Sequence, residues 1–260
     1  MRLEDRVVIV TGAARGIGRV YAKAAAAEGA KVVVSDVLDG EEAVEEIRKG
    51  GGEAMYVRAD VSDEQSVNAL ARSAYDRYGR VDGLVNNAAR VADIRLGGFD
   101  EVSVEEWDAV MAVNVKGPWL AARAVYPFMK ARGAGKIINI ASGAPFKGNP
   151  LFSHYSVSKG AVLALTRVLA RSMGKDGICV NTVAPGFTHT DFHERMGLPP
   201  GQEGVPGPLW LDARDVVAES LRDAARGRGV SIPSLRYKAL TRIAALLPAS
   251  VAAGVGTRGR

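Results

Sequence analysis

The chain has 260 residues, 47% of them hydrophobic and 24% charged, a composition suited to one α/β domain with a sizeable core. Its net charge of +5 comes from the end of the chain, where seven basic residues and no acidic ones follow Ala225. A nucleic-acid-binding face spread over the domain is therefore excluded. A single cysteine, Cys179, excludes an internal disulfide and a cysteine-rich metal site.

In chain order, short β-branched runs alternate with longer amphipathic stretches. The runs are Val7–Val10, Lys31–Asp36, Ala54–Arg58, Gly83–Asn86, Lys136–Ala141 and Ile178–Ala184, and the helical patterns cover 16–28, 40–49, 63–78, 103–131 and 155–174. Runs this apolar suit parallel strands covered on both faces. The alternation predicts one α/β domain over 1–260, a doubly wound parallel sheet in three α-β-α layers. Cys179, in the sixth run, is expected as a small buried strand residue. The segment 186–211 holds Pro199-Pro200-Gly201 and Val205-Pro206-Gly207-Pro208, too many helix breakers for a long element. It follows the last of these strands, on the ligand side of such sheets, and reads as a substrate lid. A helix over 212–226 and a short strand over 229–232 come next. Residues 233–260 form a basic C-terminal helix and tail, in which Leu235, Leu240, Ile243, Leu246 and Leu247 can share a docking face. Membrane-surface binding is the alternative use of that face. No apolar run reaches the ~18 residues of a membrane span and no secretory leader is evident, so a cytoplasmic location is expected.

The first strand ends in Thr11-Gly12-Ala13-Ala14-Arg15-Gly16-Ile17-Gly18, where a helix starts. Gly12, Gly16 and Gly18 tighten the turn, let backbone approach a pyrophosphate and let the helix pack on the sheet. Arg15 and Ile17 lie in the same turn. Asp36 ends the second strand, 18 residues after Gly18, where a carboxylate accepts hydrogen bonds from the adenosine ribose and repels a 2′-phosphate. NAD is therefore expected and NADP disfavoured. Asp60, Val61, Asn87 and Ala88 follow strand ends, placed to line adenine and ribose.

Ser142 follows the fifth strand, Tyr155 comes thirteen residues later, and Lys159 four residues after that, on one helical face with Tyr155. A free tyrosine with pKa ~10 is only about 0.1% ionised at pH 7. A nearby ammonium is expected to lower that pKa by ~1–3 units, making Tyr155 a proton-transfer group with Ser142 on the substrate oxygen.

These motifs, with Asn114 and Pro185-Gly186, resemble the short-chain dehydrogenases/reductases over about residues 3–192. The resemblance implies a Rossmann-type domain and an NAD-dependent oxidoreductase acting on a secondary alcohol or ketone. The implied catalytic set is Asn114, Ser142, Tyr155 and Lys159, with Asn114 at a helix bend holding a water of the proton relay. It also implies that Lys159 grips the nicotinamide ribose and that Pro185, Gly186, Thr188 and Thr190 hold the carboxamide. A small, fairly apolar substrate is expected, with a 3-oxoacyl thioester reductase and an NAD(H)-sensing binding protein as alternatives. The resemblance implies a homodimer or homotetramer. The chain departs from the family at Asn86-Asn87-Ala88-Ala89, where glycine commonly stands fourth, and at its C-terminus, which lacks the usual Asp-Gly-Gly ending. No metal is expected, although His189 and His193 flank Asp191. His154 is expected to face the substrate or to pack, and Phe146, Phe152, Phe187 and Phe192 to lie near the mouth.

Overall fold

The computed structural model describes residues 3–91, 94, 97–148, 150–195 and 205–246. In chain order the elements are β1 (Val7–Thr11), α1 (Gly16–Ala27), β2 (Lys31–Asp36), α2 (Glu41–Lys49), β3 (Glu53–Arg58), α3 (Glu64–Tyr78) and β4 (Gly83–Asn86). They continue with α4 (Val104–Met111), α5 (Gly117–Arg132), β5 (Gly135–Ile140), α6 (Ala144–Lys147), α7 (Ser153–Met173) and β6 (Ile178–Val183). The last are α8 (Phe192–Arg195), α9 (Ala213–Ala225), β7 (Val230–Ser231) and α10 (Leu235–Leu246).

The strands form one parallel sheet in the order β3-β2-β1-β4-β5-β6-β7. The two-residue period of a strand sends alternate side chains to opposite faces. Val7 and Ile9 join Leu70 of α3 and Leu120 of α5 on one face. Val8 and Val10 join Tyr21 of α1 and Val44 of α2 on the other. Both faces are thus covered, in three layers and a single domain. The direction of chain progression reverses between β1 and β4, which opens a crevice at their carboxyl ends.

The helical pattern over 103–131 is interrupted. Residues Ala112–Lys116 form a π turn between α4 and α5. Pro118 has no N–H for the carbonyl of Asn114, four residues earlier. Gly117 packs so closely that an added Cβ would stand 2.9 Å from Cγ2 of Val61.

One expectation fails here. Cys179 is exposed, because β7 pairs only with Thr182 and Val183 and leaves the start of β6 at the sheet edge. Of the proposed docking face of the last helix, the side chains of Leu235 and Leu240 are described. Leu235 is 82% exposed and Leu240 is also exposed, whereas Tyr237 is buried. The side chains of Ile243 and Leu246, and all of Leu247 and Pro199-Pro200-Gly201, lie outside the described residues.

Candidate active site

A cleft of about 540 Å³ opens at the carboxyl ends of the strands. Gly12, Arg15, Gly16, Ile17, Asp36, Asp60, Val61, Asn87 and Ala88 line one part of it. Ser142, Tyr155, Lys159, Pro185, Gly186, Thr188 and Thr190 line the rest. Gly18 and Asn114 stand behind the wall.

Gly12 has φ +63°, and a Cβ there would lie 2.7 Å from Cα of Ala88. A Cβ on Gly18 would overlap the carbonyl of Gly12. The amide of Asn87 ties the turn to β4 by donating to the carbonyls of Thr11 (3.0 Å) and Gly12 (2.8 Å). In return, Thr11 Oγ1 accepts from the backbone N–H of Asn87 and Ala88. The first turn of α1 has no side-chain cap, so its N–H groups fit a phosphate. Asp36 is held rigidly, accepting from Ala14 N and Leu38 N, each at 3.1 Å. Arg15 points elsewhere: its Nε is 3.5 Å from Oδ2 of Asp191, in the segment after β6.

At the other end, Tyr155 and Ser142 line the same stretch of the cleft. Ser142 Oγ also accepts from Ala144 N at 3.1 Å, and Gly143 N donates to the Pro185 carbonyl at 2.9 Å. Lys159 Nζ donates to the Ile140 carbonyl at 2.8 Å. Burial pushes the Tyr155 phenol up to about 12, opposed by the Ser142 hydrogen bond. Burial likewise pushes the Lys159 ammonium down to about 8. This reverses the expected downward shift of Tyr155: desolvation of the phenolate dominates, opposed by Ser142, while burial moves Lys159 itself toward its neutral form.

Asn114 is fully buried and its amide is engaged. Oδ1 accepts from Arg90 N at 2.7 Å, and Nδ2 donates to Ser158 Oγ at 3.1 Å. The Tyr155 ring meets Phe152 and Phe192 edge-on, at 5.7 and 6.0 Å between centroids. Phe187 also lines the cleft, whereas Phe146 does not. His154 is enclosed, with Nε2 3.1 Å from Glu106 Oε1 but not aligned for a hydrogen bond, and does not line the cleft. His189 stacks on Trp210 at 4.7 Å, and the side chain of His193 lies outside the described residues. Among the described residues, no group of three or more His, Cys, Asp or Glu could hold a metal ion, and no helix is long and apolar enough to cross a membrane.

Sequence reasoning missed Arg195 and Tyr237, which also line the cleft. Neither belongs to a local motif. Asp191 drew notice only for its neighbouring histidines, yet it pairs with Arg15 and lies 3.9 Å from Arg195 Nη1.

The crevice at the sheet's switch point, with its glycine turn and buried tyrosine–lysine pair, defines a nicotinamide-dinucleotide-dependent oxidoreductase. The chain belongs to the short chain dehydrogenase family, whose model matches residues 6–198. It is 39% identical over 207 residues to a 3-oxoacyl-[acyl-carrier-protein] reductase of Synechocystis, covering 78% of this chain and 83% of the relative. It is 38% identical over 212 residues to galactitol 2-dehydrogenase of Agrobacterium fabrum, covering 78% and 81%. Among solved structures it resembles a short chain dehydrogenase/reductase from Burkholderia phymatum in complex with NAD, with TM-score 0.82, 29% identity, and 93% of each chain covered. It also resembles a gluconate 5-dehydrogenase from Burkholderia cenocepacia in complex with NADP and tartrate, with TM-score 0.81, 28% identity, and 92% and 97% covered.

Proposed function

We propose that this protein interconverts a secondary alcohol and a ketone using NAD(H), with Tyr155 exchanging the proton. The observation that carries this reading is the buried Tyr155 phenol, in the same cleft as Ser142, Lys159, the glycine turn and Asp36. When bound, the nicotinamide supplies the hydride acceptor or donor, and its oxidised ring adds positive charge. Ser142 orients the substrate oxygen through its hydroxyl. Tyr155 donates its phenolic proton to that oxygen during reduction and takes it back during oxidation. With its pKa pushed up to about 12, the phenol rests in its protonated, donating form at neutral pH. Below about pH 8, Lys159 is charged 5.8 Å from the ring centroid and assists the phenolate that oxidation needs.

In this reading Lys159 also holds the nicotinamide ribose, and Pro185, Gly186, Thr188 and Thr190 hold the carboxamide. Gly12, Arg15, Gly16, Ile17, Asp36, Asp60, Val61, Asn87 and Ala88 hold the rest of NAD, and Gly18 supports their turn. Asn114, at its π turn, belongs to the proton relay, and 186–211 serves as the lid. Phe152, Phe187 and Phe192 favour a fairly apolar substituent on the carbonyl. A 3-oxoacyl thioester is the second reading, favoured by Arg90 and Arg195 at the cleft wall, which suit an anionic carrier, and by the likeness to the Synechocystis 3-oxoacyl-[acyl-carrier-protein] reductase.

The test combines a panel of aliphatic and aryl ketones, a sugar and an acyl thioester with Tyr155→Phe. The variant should keep NADH binding and lose about 100- to 10,000-fold in kcat. Near-normal turnover would remove Tyr155 from the chemistry.

A further inference from the structure

Helix α10 reaches the cleft through one side chain. Tyr237 is 3% exposed, while its neighbours Leu235 and Arg236 face solvent. Its ring occupies the space beside Gly186 so fully that a methyl group there would overlap it. Its hydroxyl accepts from the backbone N–H of Phe187 at 3.0 Å and donates to the carbonyl of Leu209 at 2.9 Å.

Those partners stand on the two arms of the segment after β6. The arms are themselves paired: Leu211 N donates to the Phe187 carbonyl, and His189 N to the Leu211 carbonyl, both at 2.9 Å. One phenol therefore ties the outgoing arm to the returning arm, where the chain passes along the cleft at Gly186, Thr188 and Thr190. Helix α10 also packs against α6, the turn that follows Ser142. A tyrosine that only filled a core would need one hydrogen-bond partner for its hydroxyl. This one uses both its donor and its acceptor on backbone that borders the site.

We propose that Tyr237 is a positioning residue that fixes the Gly186–Thr190 backbone, and that the affinity for the nicotinamide cofactor depends on it. The inference rests on reading the cleft as the dinucleotide site. It gives the C-terminal helix, where the chain departs from its family's pattern, a direct role in that site.

Tyr237→Phe keeps the ring and removes the hydroxyl, so Phe187 N–H and Leu209 C=O lose this partner together. The Kd for NADH, read by fluorescence titration, should rise about five- to tenfold, as expected for one or two hydrogen bonds lost from an ordered loop. At saturating cofactor, kcat should fall by less than about twofold, because reacting groups keep their places. Hydrogen exchange should accelerate at Phe187, His189 and Leu211 but not in β1, β4 or β5. Unaltered NADH affinity would overturn the proposal, as would faster exchange spread over the whole sheet, which would mark Tyr237 as plain packing.

A second pair of variants guards against misfolding. Gly186→Ala should weaken NADH binding in the native background and do so far less in Tyr237→Ala, where the ring is gone. Equal losses in both backgrounds would also overturn the proposal. The readouts that would overturn the proposal are binding and exchange measurements, so they stand even if Tyr155→Phe remains active and the catalytic reading falls.

Discussion

Lys159 Nζ lies 5.8 Å from the centroid of the Tyr155 ring, and both side chains are almost wholly removed from solvent. Each is driven toward its uncharged form, the lysine down to about 8 and the tyrosine up to about 12. Between pH 8 and the ordinary lysine value of 10.5, the unfolded chain binds a proton at this residue that the folded chain lacks. Stability therefore rises with pH across that window, and below about 8 the folded protein carries the full cost of the buried charge. Tyr155 acts oppositely, lowering stability only as pH climbs from 10 toward 12. Lys159→Met should raise the stability of the cofactor-free protein at pH 7 by about 1–3 kcal/mol, partly offset by the carbonyl left at Ile140. It should also flatten the rise between pH 8 and 10, at the expense of activity. Thermal unfolding from pH 6 to 10 checks this, and a variant less stable than the native chain at pH 7 contradicts it.

Asn114 uses its side chain to hold the structure together. Its Oδ1 accepts from the backbone of Arg90 and its Nδ2 donates to Ser158, one turn from Tyr155. Asn114→Ala should therefore cost about 1–2 kcal/mol in stability besides lowering kcat, because a part-buried donor and a buried acceptor lose their partner. Denaturant unfolding reads the first effect and steady-state kinetics the second. A kinetic defect with native stability would mean that the side chain matters only to the proton relay.

The glycine turn, Asp36 and the Ser142, Tyr155, Lys159 spacing were legible in the sequence because each depends on local geometry. A tight turn needs Gly12 where φ is +63°, and a helix puts residues 155 and 159 on one face. The strands were legible because a doubly covered parallel sheet leaves nearly unbroken apolar runs. What sequence reasoning missed depends on distant contacts. Burial of Cys179 turned on how far β7 extends along β6, and the contact of α10 with the cleft runs through Tyr237, which no local pattern marks. The upward shift of Tyr155 has the same origin, since the packing of Phe152 and Phe192 around its ring is not written in the spacing to Lys159.

Large apolar side chains stand exposed on α4, α5 and α7. Val104 is 69% exposed, Val168 60% and Trp119 41%, with the Arg123 guanidinium 4.8 Å above the Trp119 ring. Such side chains suit a two-fold interface, and assembly at least to a homodimer is expected, with a homotetramer as the higher form. Sedimentation at tens of micromolar should show no major monomer, and Val168→Arg should produce one. A native chain that sediments as a monomer would contradict this.

Cofactor choice sets Asp36 against Arg15. The carboxylate of Asp36 is fixed at the end of β2 by two backbone N–H groups and cannot easily withdraw from a 2′-phosphate. Two like charges a few ångströms apart there cost on the order of 1–4 kcal/mol. Arg15 could offset this only by leaving Asp191, 3.5 Å away, and both side chains are more than a third exposed, so that pair contributes little by itself. A flexible, solvated arginine gains less from a phosphate than a rigid carboxylate loses, so the repulsion decides. NAD should be preferred over NADP by at least about tenfold in kcat/KM, the ratio that 1.4 kcal/mol produces. Asp36→Ala should erode most of that preference, and adding Asp191→Asn, which releases Arg15, should move it further toward NADP. Parallel kinetics with NADH and NADPH check both steps. Equal use of the two cofactors by the native enzyme would mean that Asp36 does not face the 2′ position.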